Sequence, residues 1–473
     1  MPAALDFFRH GLLIPASTLP NGHTPLVVAY LGLVWHLFGF NTLATRSAMI
    51  LIASVTVAAT VTLANEVFRT RAASPEPGDG AKGDVVAGPD RAAIAAGHGN
   101  PLTEPAIWSA VLLALAPLFF AQSSMAHLDL AVALFTLVAV IALLDERWLP
   151  FALATSLAVL AKETAIVLVP VAWTFTWLEA RRSHRSIGAR VWIILASPCA
   201  ILAAWVIYYH HHTGFWTGNA GYLQYNVYST LSPVRILLCL LRRLHEVFIA
   251  GFSWTVTAAA AIGYGWSRRR AVGNGSKSGP DEKRRRRFVL LTLLLTAAYL
   301  AMLSVVGGAI LPRYTLPVYP PLMVLGMLYI WRLRRSWARA CCALAAAGMV
   351  AGWFMNPPYP VPFEDNLAYA DFVRLHQQAA DFLSSGPAAG NGLRILTAWP
   401  ATNELTTPDL GYVAAPLEVT PIDGFAPADF AAVKAGSFDL VYLYSRKSEP
   451  PGNWLARFAW IARIEARYFD YAP

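Results

Sequence analysis

The chain has 473 residues, 56% of them hydrophobic and only 14% charged, with a formal net charge of +9. Soluble domains carry roughly a quarter charged residues, so this composition, with a mean hydropathy of +0.46, excludes a disordered chain, a collagen-like fibre and an ordinary soluble enzyme. Apolar runs spread over most of the chain point to an all-α polytopic membrane protein.

The charge is unevenly distributed. Residues 355–473 hold 8 Lys/Arg and 13 Asp/Glu, and the rest of the chain 29 and 15. A basic balance can signal nucleic-acid binding. Here the basic residues gather in short loops between apolar runs, which is the positive-inside pattern, and no nucleic-acid partner is expected. Cys199, Cys239, Cys341 and Cys342 lie in or beside apolar runs, without CxxC or Cys/His spacing. Neither a disulfide framework nor a zinc site is expected from them.

In chain order, residues 1–22 contain no apolar core of signal-peptide type. PLVVAYLGLVWHLFGF, 25–40, is short and carries Trp35 and His36, which suits a helix lying in the membrane interface. Apolar runs then fall at 44–68, 105–122, 127–144, 148–161, 163–178, 190–209, 247–266, 288–306, 316–332 and 337–354, predicting about ten transmembrane helices. A full span needs ~20 residues, so 148–161 and 163–178 read as a broken or tilted pair. The stretch 69–104, rich in Gly, Ala and Pro with mixed charge, reads as a flexible cytoplasmic insertion.

Loops 179–190, 267–287 and 331–340 concentrate arginine, and the span count puts all three on one side, which is assigned as cytoplasmic. Asp129, the Lys162-Glu163 pair, loops 210–246 and 307–315 and the C-terminal region then fall on the outer face. Residues before 44 should also be outside, yet nothing upstream carries them across. The expectation is a further helix before them, with Met1 not the natural start. In 355–473, NLAYADFVRLHQQAADFL (366–383) predicts a helix, LRILTAW (393–399) and FDLVYLYS (438–445) buried strands, and 454–469 a second helix. Together they predict a small α/β domain on the outer face.

Ionisable groups at membrane depth are costly and are functional candidates by default. Asp129, in SSMAHLDLAVALF, is such a group or a helix-start carboxylate favoured by the helix dipole. Lys162 and Glu163, in LAVLAKETAIVLVP, are candidates or a local ion pair at a turn. Arg313, in GGAILPRYTLPVYPPL, is an interfacial anchor or a partner for a lipid phosphate. His210, His211 and His212 cannot all face one metal from a regular element and read as an interfacial loop. No GxxxxGK[ST], GxGxxG after a strand, HExxH or GxSxG motif occurs, which leaves ATP-driven transport and soluble nucleotide-sugar chemistry without support.

These segments bear a resemblance. GHTPLVVAYLGLVWHLFGFNTLATRSAMI (22–50) resembles the H-P-P-L…FG…R stretch of C-type (GT-C) glycosyltransferases of the protein O-mannosyltransferase and aminoarabinose-transferase kind. SSMAHLDLAVALFTLVAV resembles their second acidic motif, LAVLAKETAIVLVP their l-a-K segment, and ILPRYTLPVYPPLMVL their late R-Y motif. The four occur in the family's order and cover about residues 1–355.

The resemblance implies a GT-C-like transmembrane domain over 1–354. Span parity makes 355–473 an extracytoplasmic domain, and with no retention signal or luminal repeat domain visible the expected location is a bacterial inner membrane. The resemblance also implies transfer of a sugar from a polyprenyl-phosphate donor to a lipid, glycan or protein acceptor. Asp129 and Glu163 are then the catalytic candidates, with Glu163 fixing Lys162. Lys162, Arg313, Tyr314 and His23 are candidates for the donor phosphate. No cofactor is specified, and a divalent metal stays open. Two departures accompany the likeness. The family's first helix and the acidic residue of its first outer loop have no counterpart, Asp6 lying too close to Gly11 to match. His23-Thr24-Pro25 stands for His-Pro-Pro. The rival readings are a multi-span transporter or flippase and an inactive truncated remnant.

Overall fold

A computed structural model describes residues 2–17, 22–69, 102–218, 223–224, 227–228, 231–271, 280–306, 311–355, 364–386, 392–425, 427–434 and 436–444. The insertion 70–101 and the helix expected at 454–469 lie outside them. The chain divides into two units, Met1–Ala351 and Gly352–Pro473.

The first unit is helical. It opens with α1 (Pro2–His10), α2 (Leu26–Phe38) and α3 (Thr42–Phe68). The helix α2 falls where the short interfacial segment was expected. The helix α1 was not foreseen; Phe8 packs against Trp35 at 6.0 Å and His36 at 4.7 Å. Asn41 starts α3 by accepting the Ala44 amide at 2.7 Å. After the insertion come α4 (Glu104–Leu115) and α5 (Pro117–Gln122), separated at Ala116 because Pro117 cannot continue the helical hydrogen-bond ladder.

The antiparallel pair α6 (Asp129–Leu144) and α7 (Trp148–Ala161) forms the middle of the unit. Most of α6 is buried, with Leu130, Ala133 and Leu137 fully inaccessible. A single 3-10 segment, Glu163–Val167, leads into α8 (Leu168–Arg182), followed by α9 (Ala189–Thr213). Next come α10 (Pro233–Phe248), α11 (Ser253–Ala271) and α12 (Pro280–Val306). A further 3-10 segment, Pro312–Val318, precedes α13 (Tyr319–Ile330) and α14 (Arg335–Gly352). The expected outer loop 210–246 is corrected here: its second half is the helix α10.

Each apolar run read from the sequence contains helix, but the runs are not uniform spans. Among the described residues, α3, α9 and Asp281–Val306 are long and apolar enough to cross a membrane alone, and α10 with α11 pass together across a 45° bend. The helix α3, at 1.5 Å per residue, is about 40 Å long. The helices α2, α4, α6 and α7 are shorter apolar helices. Their shortness has local causes: α6 begins at Asp129, α7 stops at Lys162 in an extended conformation, and the run 316–332 starts as a proline-containing 3-10 turn.

The outer surface is apolar as well. Leu51, Leu149, Leu153, Ile193, Ile207, Ile262 and Leu293 are all exposed. In water such a surface would drive association; in a bilayer it is the solvated face. The protein is therefore an integral membrane protein.

One end of this unit is tied by ion pairs. Arg284 meets Glu66 and Asp145, and Arg287 meets Glu146 at 3.1 Å and Glu179 at 3.3 Å. Arg185 also reaches Glu146 at 3.3 Å, and Arg335 and Arg339 share Glu104. Side chains from loops 179–190 and 267–287 thus meet at the end of α6 remote from Asp129, and those of loop 331–340 at the start of α4.

Two glycines set the distance between α11 and α13. A Cβ on Gly263 would lie 2.1 Å from the Tyr329 carbonyl oxygen, and one on Gly326 would lie 2.8 Å from Val256 Cγ1. The first obstacle is backbone, so a larger residue must move a helix. Gly263→Leu is expected to destabilise by about 1–3 kcal/mol, read as a lower unfolding midpoint of the purified protein in detergent. Gly265→Ala, with open space around its Cβ, is the control and should sit near wild type.

The second unit contains a three-stranded parallel sheet of order β2-β1-β3, from β1 (Ile395–Ala398), β2 (Val419–Ile422) and β3 (Leu440–Val441). The helix α15 (Ala368–Ser385) supplies Ala380 and Leu383 to its core, beside Ile395, Leu405 and Val413. The expected helix at 366–383 is present as α15 and the buried strand at 393–399 as β1; the buried strand expected at 438–445 is corrected, since only Leu440–Val441 pairs there and Val441 is exposed at the sheet edge. The edge strand β2 was not foreseen, because Pro421 and partial exposure hide it.

At the start of the sheet Asp439 accepts from the Arg394 amide at 2.9 Å and its Nε at 3.2 Å. These hydrogen bonds hold the Asp439 carboxyl below the ordinary carboxylate range. A depressed folded-state value means the stabilisation is present above the unfolded value of about 3.9 and fades as pH falls through the lowered one. Amide protection of the β1–β3 pairing should therefore persist at pH 5–7 and weaken only below about pH 4. Asp439→Asn should show the weakened pattern already at neutral pH, measured by hydrogen exchange.

Candidate functional site

Because α6 and α7 run antiparallel, the start of one lies beside the end of the other. Asp129, the first residue of α6, and Lys162, which caps α7, meet there, with Lys162 Nζ donating to Asp129 Oδ1 at 2.7 Å. The other carboxylate oxygen, Oδ2, lies 3.3 Å from Arg313 Nε. Side-chain exposures are 5% for Asp129, 7% for Lys162 and 17% for Arg313. One buried carboxylate thus holds two cations at an end of the bundle.

Arg313 is delivered by the 3-10 segment Pro312–Val318. Pro312 opens the segment, Thr315 Oγ1 returns a hydrogen bond to the Pro312 carbonyl at 2.7 Å, and the Tyr319-Pro320-Pro321 sequence postpones the regular helix. The next residue, Tyr314, lies under the cations. Lys162 Nζ is 3.5 Å from its ring centroid, and the guanidinium carbons of Arg313 and Arg243 are at 5.6 and 5.8 Å. A phenol ring at these distances attracts cations through its negative face.

The helix α10 adds residues the sequence reading missed. Arg243 is fully buried and donates to Glu246 Oε2 and the Leu311 carbonyl, both at 2.8 Å. Arg242 Nε reaches Glu246 Oε1 at 3.2 Å, and Tyr319 donates its hydroxyl to the Glu246 carbonyl at 3.0 Å. On the opposite side of α10, Val234, Leu237, Leu241 and Leu244 are exposed. A helix whose charges face the protein and whose leucines face outward is the membrane inverse of a surface helix. That inversion was the available signal, and it is visible in PVRILLCLLRRLHEVF.

His23 and Glu163 form a separate pair. His23 Nδ1 is 3.2 Å from both Glu163 oxygens, and the two side chains are 28% and 31% exposed. The His23 segment is held by the Thr24 hydroxyl, which donates to the Val159 carbonyl at 2.8 Å, and by Trp205 Nε1, which lies 3.4 Å from the Gly22 carbonyl. The expectation that Glu163 fixes Lys162 is corrected: Lys162 hydrogen-bonds Asp129, and Glu163 hydrogen-bonds His23. Chain continuity keeps the two pairs adjacent.

Of the six candidates, Asp129, Lys162, Arg313 and Tyr314 converge directly, and Glu163 with His23 lies beside them. Lys162, Arg242, Arg243 and Arg313 outnumber Asp129 and Glu246 in the core of the cluster. Cations held in place by buried carboxylates and an aromatic ring make a preorganised site for an anion. Asp6, the other acidic residue considered, accepts from the Ala16 and Ser17 amides at 2.8 and 2.9 Å and fixes the turn after α1. The histidine run closes α9, where His210 stacks on Trp216 at 3.8 Å. Among the described residues no group of three or more His, Cys, Asp or Glu is placed to hold a metal ion.

The helical bundle, with its short apolar helices, broken turns and a charged cluster at one end, is similar in fold to solved membrane-protein structures. The structure of ArnT from Cupriavidus metallidurans bound to undecaprenyl phosphate matches 88% of this chain and 80% of its own, at 15% identity and a TM-score of 0.54. The apo structure of the same protein covers 88% of this chain and 79% of its own, at 15% identity and a TM-score of 0.48. No family model and no curated protein sequence matches the chain. At this level of identity the likeness to ArnT is one of fold.

Proposed function

We propose that the protein is an integral-membrane glycosyltransferase that moves a sugar from a polyprenyl-phosphate donor to a lipid, glycan or protein acceptor. The observation that carries this reading is the clamp of Lys162 and Arg313 on buried Asp129, above Tyr314, at the bundle end remote from the arginine-rich loops. The fold shared with ArnT, whose structure contains undecaprenyl phosphate, supports a polyprenyl-linked donor. The positive-inside rule favours a cytoplasmic arginine-rich end, which supports transfer at the outer face; a bacterial inner membrane is part of this reading.

In the proposed reaction the acceptor hydroxyl loses its proton, its oxygen bonds to the anomeric carbon, and the bond from that carbon to the phosphate oxygen breaks. The electron pair leaves with the phosphate, so negative charge grows there. Arg313 and Lys162 meet that charge with little reorganisation because Asp129 already fixes them. Tyr314 supports the cations through its ring. Both Asp129 oxygens are engaged and the side chain is buried, which suits it to positioning. Glu163 is more exposed and is oriented by His23, which suits it to receive the acceptor proton. A transporter's binding groups usually sit near mid-depth, and this cluster lies at a bundle end.

The test is a transfer assay on the full-length protein in liposomes, with radiolabelled polyprenyl-phosphate sugars against lipid, glycan and protein acceptors. Label should move to one acceptor class. Absence of both transfer and donor binding across the panel would remove the reading. Within that assay, Glu163→Gln is expected to lower kcat about 10²–10⁴-fold with donor affinity nearly unchanged. A comparable loss in donor affinity would instead assign Glu163 to the phosphate site.

A further inference from the structure

A second charged cavity lies at the opposite end of the bundle. It has a volume of about 500 Å³ and is lined by Arg285, Arg332 and Arg335, with Glu104, Trp331 and Phe68 among its other walls. It forms where the ends of α3 and α13 meet the starts of α4, α12 and α14. The sugar-transfer reading uses none of these residues.

The charge in this cavity is unbalanced. Glu104 is its one acidic wall, and that carboxylate is already engaged. Arg335 donates to it at 2.8 and 3.1 Å and Arg339 at 2.6 and 3.1 Å. Arg285 gives its Nε to the Val67 carbonyl at 3.2 Å, and Arg332 forms a long, exposed ion pair with Glu282 at 4.0 Å, without a hydrogen bond. Among the described residues, then, Arg285 and Arg332 border the cavity with no carboxylate in hydrogen-bond contact.

The remaining walls are apolar. Phe68, Leu328 and Trp331 line the cavity, and Leu102 is 59% exposed beside it. Guanidinia next to an indole and aliphatic side chains, at the end of an apolar bundle, match a molecule with an anionic head and a hydrocarbon tail. Tryptophan is favoured at the headgroup level of a bilayer, and basic pockets between helix ends suit anionic lipid heads. A free anion would use the arginines but not the apolar walls.

We propose that this cavity binds the phosphodiester headgroup of an anionic phospholipid in the leaflet at the arginine-rich end. Arg285 and Arg332 make the charged contacts, Trp331 and Phe68 cover the upper acyl chains, and Glu104 limits affinity by neutralising Arg335. The bound lipid would bridge α3, α12 and α13 at their ends.

The probe is phosphatidylglycerol added to the delipidated full-length protein in neutral detergent, with retained lipid counted by native mass spectrometry. One phosphatidylglycerol per chain is expected to survive, with phosphatidylcholine retained at least tenfold less and inorganic phosphate unable to displace the bound lipid. Arg285→Gln with Arg332→Gln should lower phosphatidylglycerol retention at least tenfold. Glu104→Gln removes the competing carboxylate and should raise it several-fold, which keeps the test available if the double variant does not fold. Equal retention of the two lipids, displacement by inorganic phosphate, or retention unmoved by Glu104→Gln would each overturn the proposal.

Discussion

Asp129→Ala is expected to lower stability by about 3–5 kcal/mol, the cost of leaving a buried ion pair without one partner. Lys162, 7% exposed, would be left buried with its hydrogen-bond acceptor gone, and Arg313 would lose its 3.3 Å contact. The cost should fall mainly on Lys162, since Arg313 is more exposed and can turn toward water. Adding Lys162→Met to the alanine variant should therefore recover much of the stability, because an apolar side chain of similar length replaces the stranded ammonium. Sugar transfer should stay abolished in both. The comparison is made by unfolding the full-length proteins in detergent and by the liposome assay. If Asp129→Ala unfolds at the wild-type midpoint, the carboxylate does not hold the cluster. If the double variant regains transfer, the cations act on something other than the donor.

What the sequence disclosed follows from how each residue is packaged. Asp129, Lys162 and Arg313 stand out because each interrupts or abuts an apolar run, and a charge at that position must be paired or functional. Their mutual pairing was hidden, because it depends on α6 and α7 folding back and on a 3-10 turn bringing Arg313 from a distant part of the chain. The adjacency of Lys162 and Glu163 suggested a pair of the wrong kind. Neighbours at the junction of a helix end and a 3-10 turn point in different directions, so each found its partner elsewhere.

Arg243 and Glu246 were missed for another reason. They lie in a segment dense enough in charge to look like a loop, although its leucines and charges separate at helical spacing, and the exposure of Leu237 and Leu241 marks the lipid face. Similarly, each of the ten apolar runs contains helix but does not show where that helix ends. Pro117, Lys162 and Pro312 break the runs where turns and charged groups lie, so several helices are shorter than a hydrophobic count suggests. In the second unit the buried strand β1 was readable from its continuous apolar pattern, while the edge strand β2 carries no such pattern.

The other large expected effect concerns Arg313. Of the cations around Tyr314 it is more exposed than Lys162 or Arg243, at 17% against 7% and 0%. An incoming phosphate should therefore meet it first. A hydrogen bond to a charged group is worth about 1.5–3 kcal/mol, so Arg313→Ala should weaken donor binding roughly 10–100-fold. Arg313→Lys should restore only part of this, because an ammonium lacks the planar fork that engages Asp129 and a phosphate together. The loss must be specific to the phosphate: binding of the uncharged polyprenol should change little, and Arg339→Ala, at the arginine-rich end, should bind donor normally. Binding of donor and polyprenol to the full-length protein, measured by calorimetry in detergent, separates the cases. Equal weakening for polyprenol would mean that Arg313 shapes the apolar groove and leaves the phosphate to Lys162. Full recovery with lysine would reduce its role to charge alone, and the guanidinium geometry fixed by Asp129 would then have no part in binding.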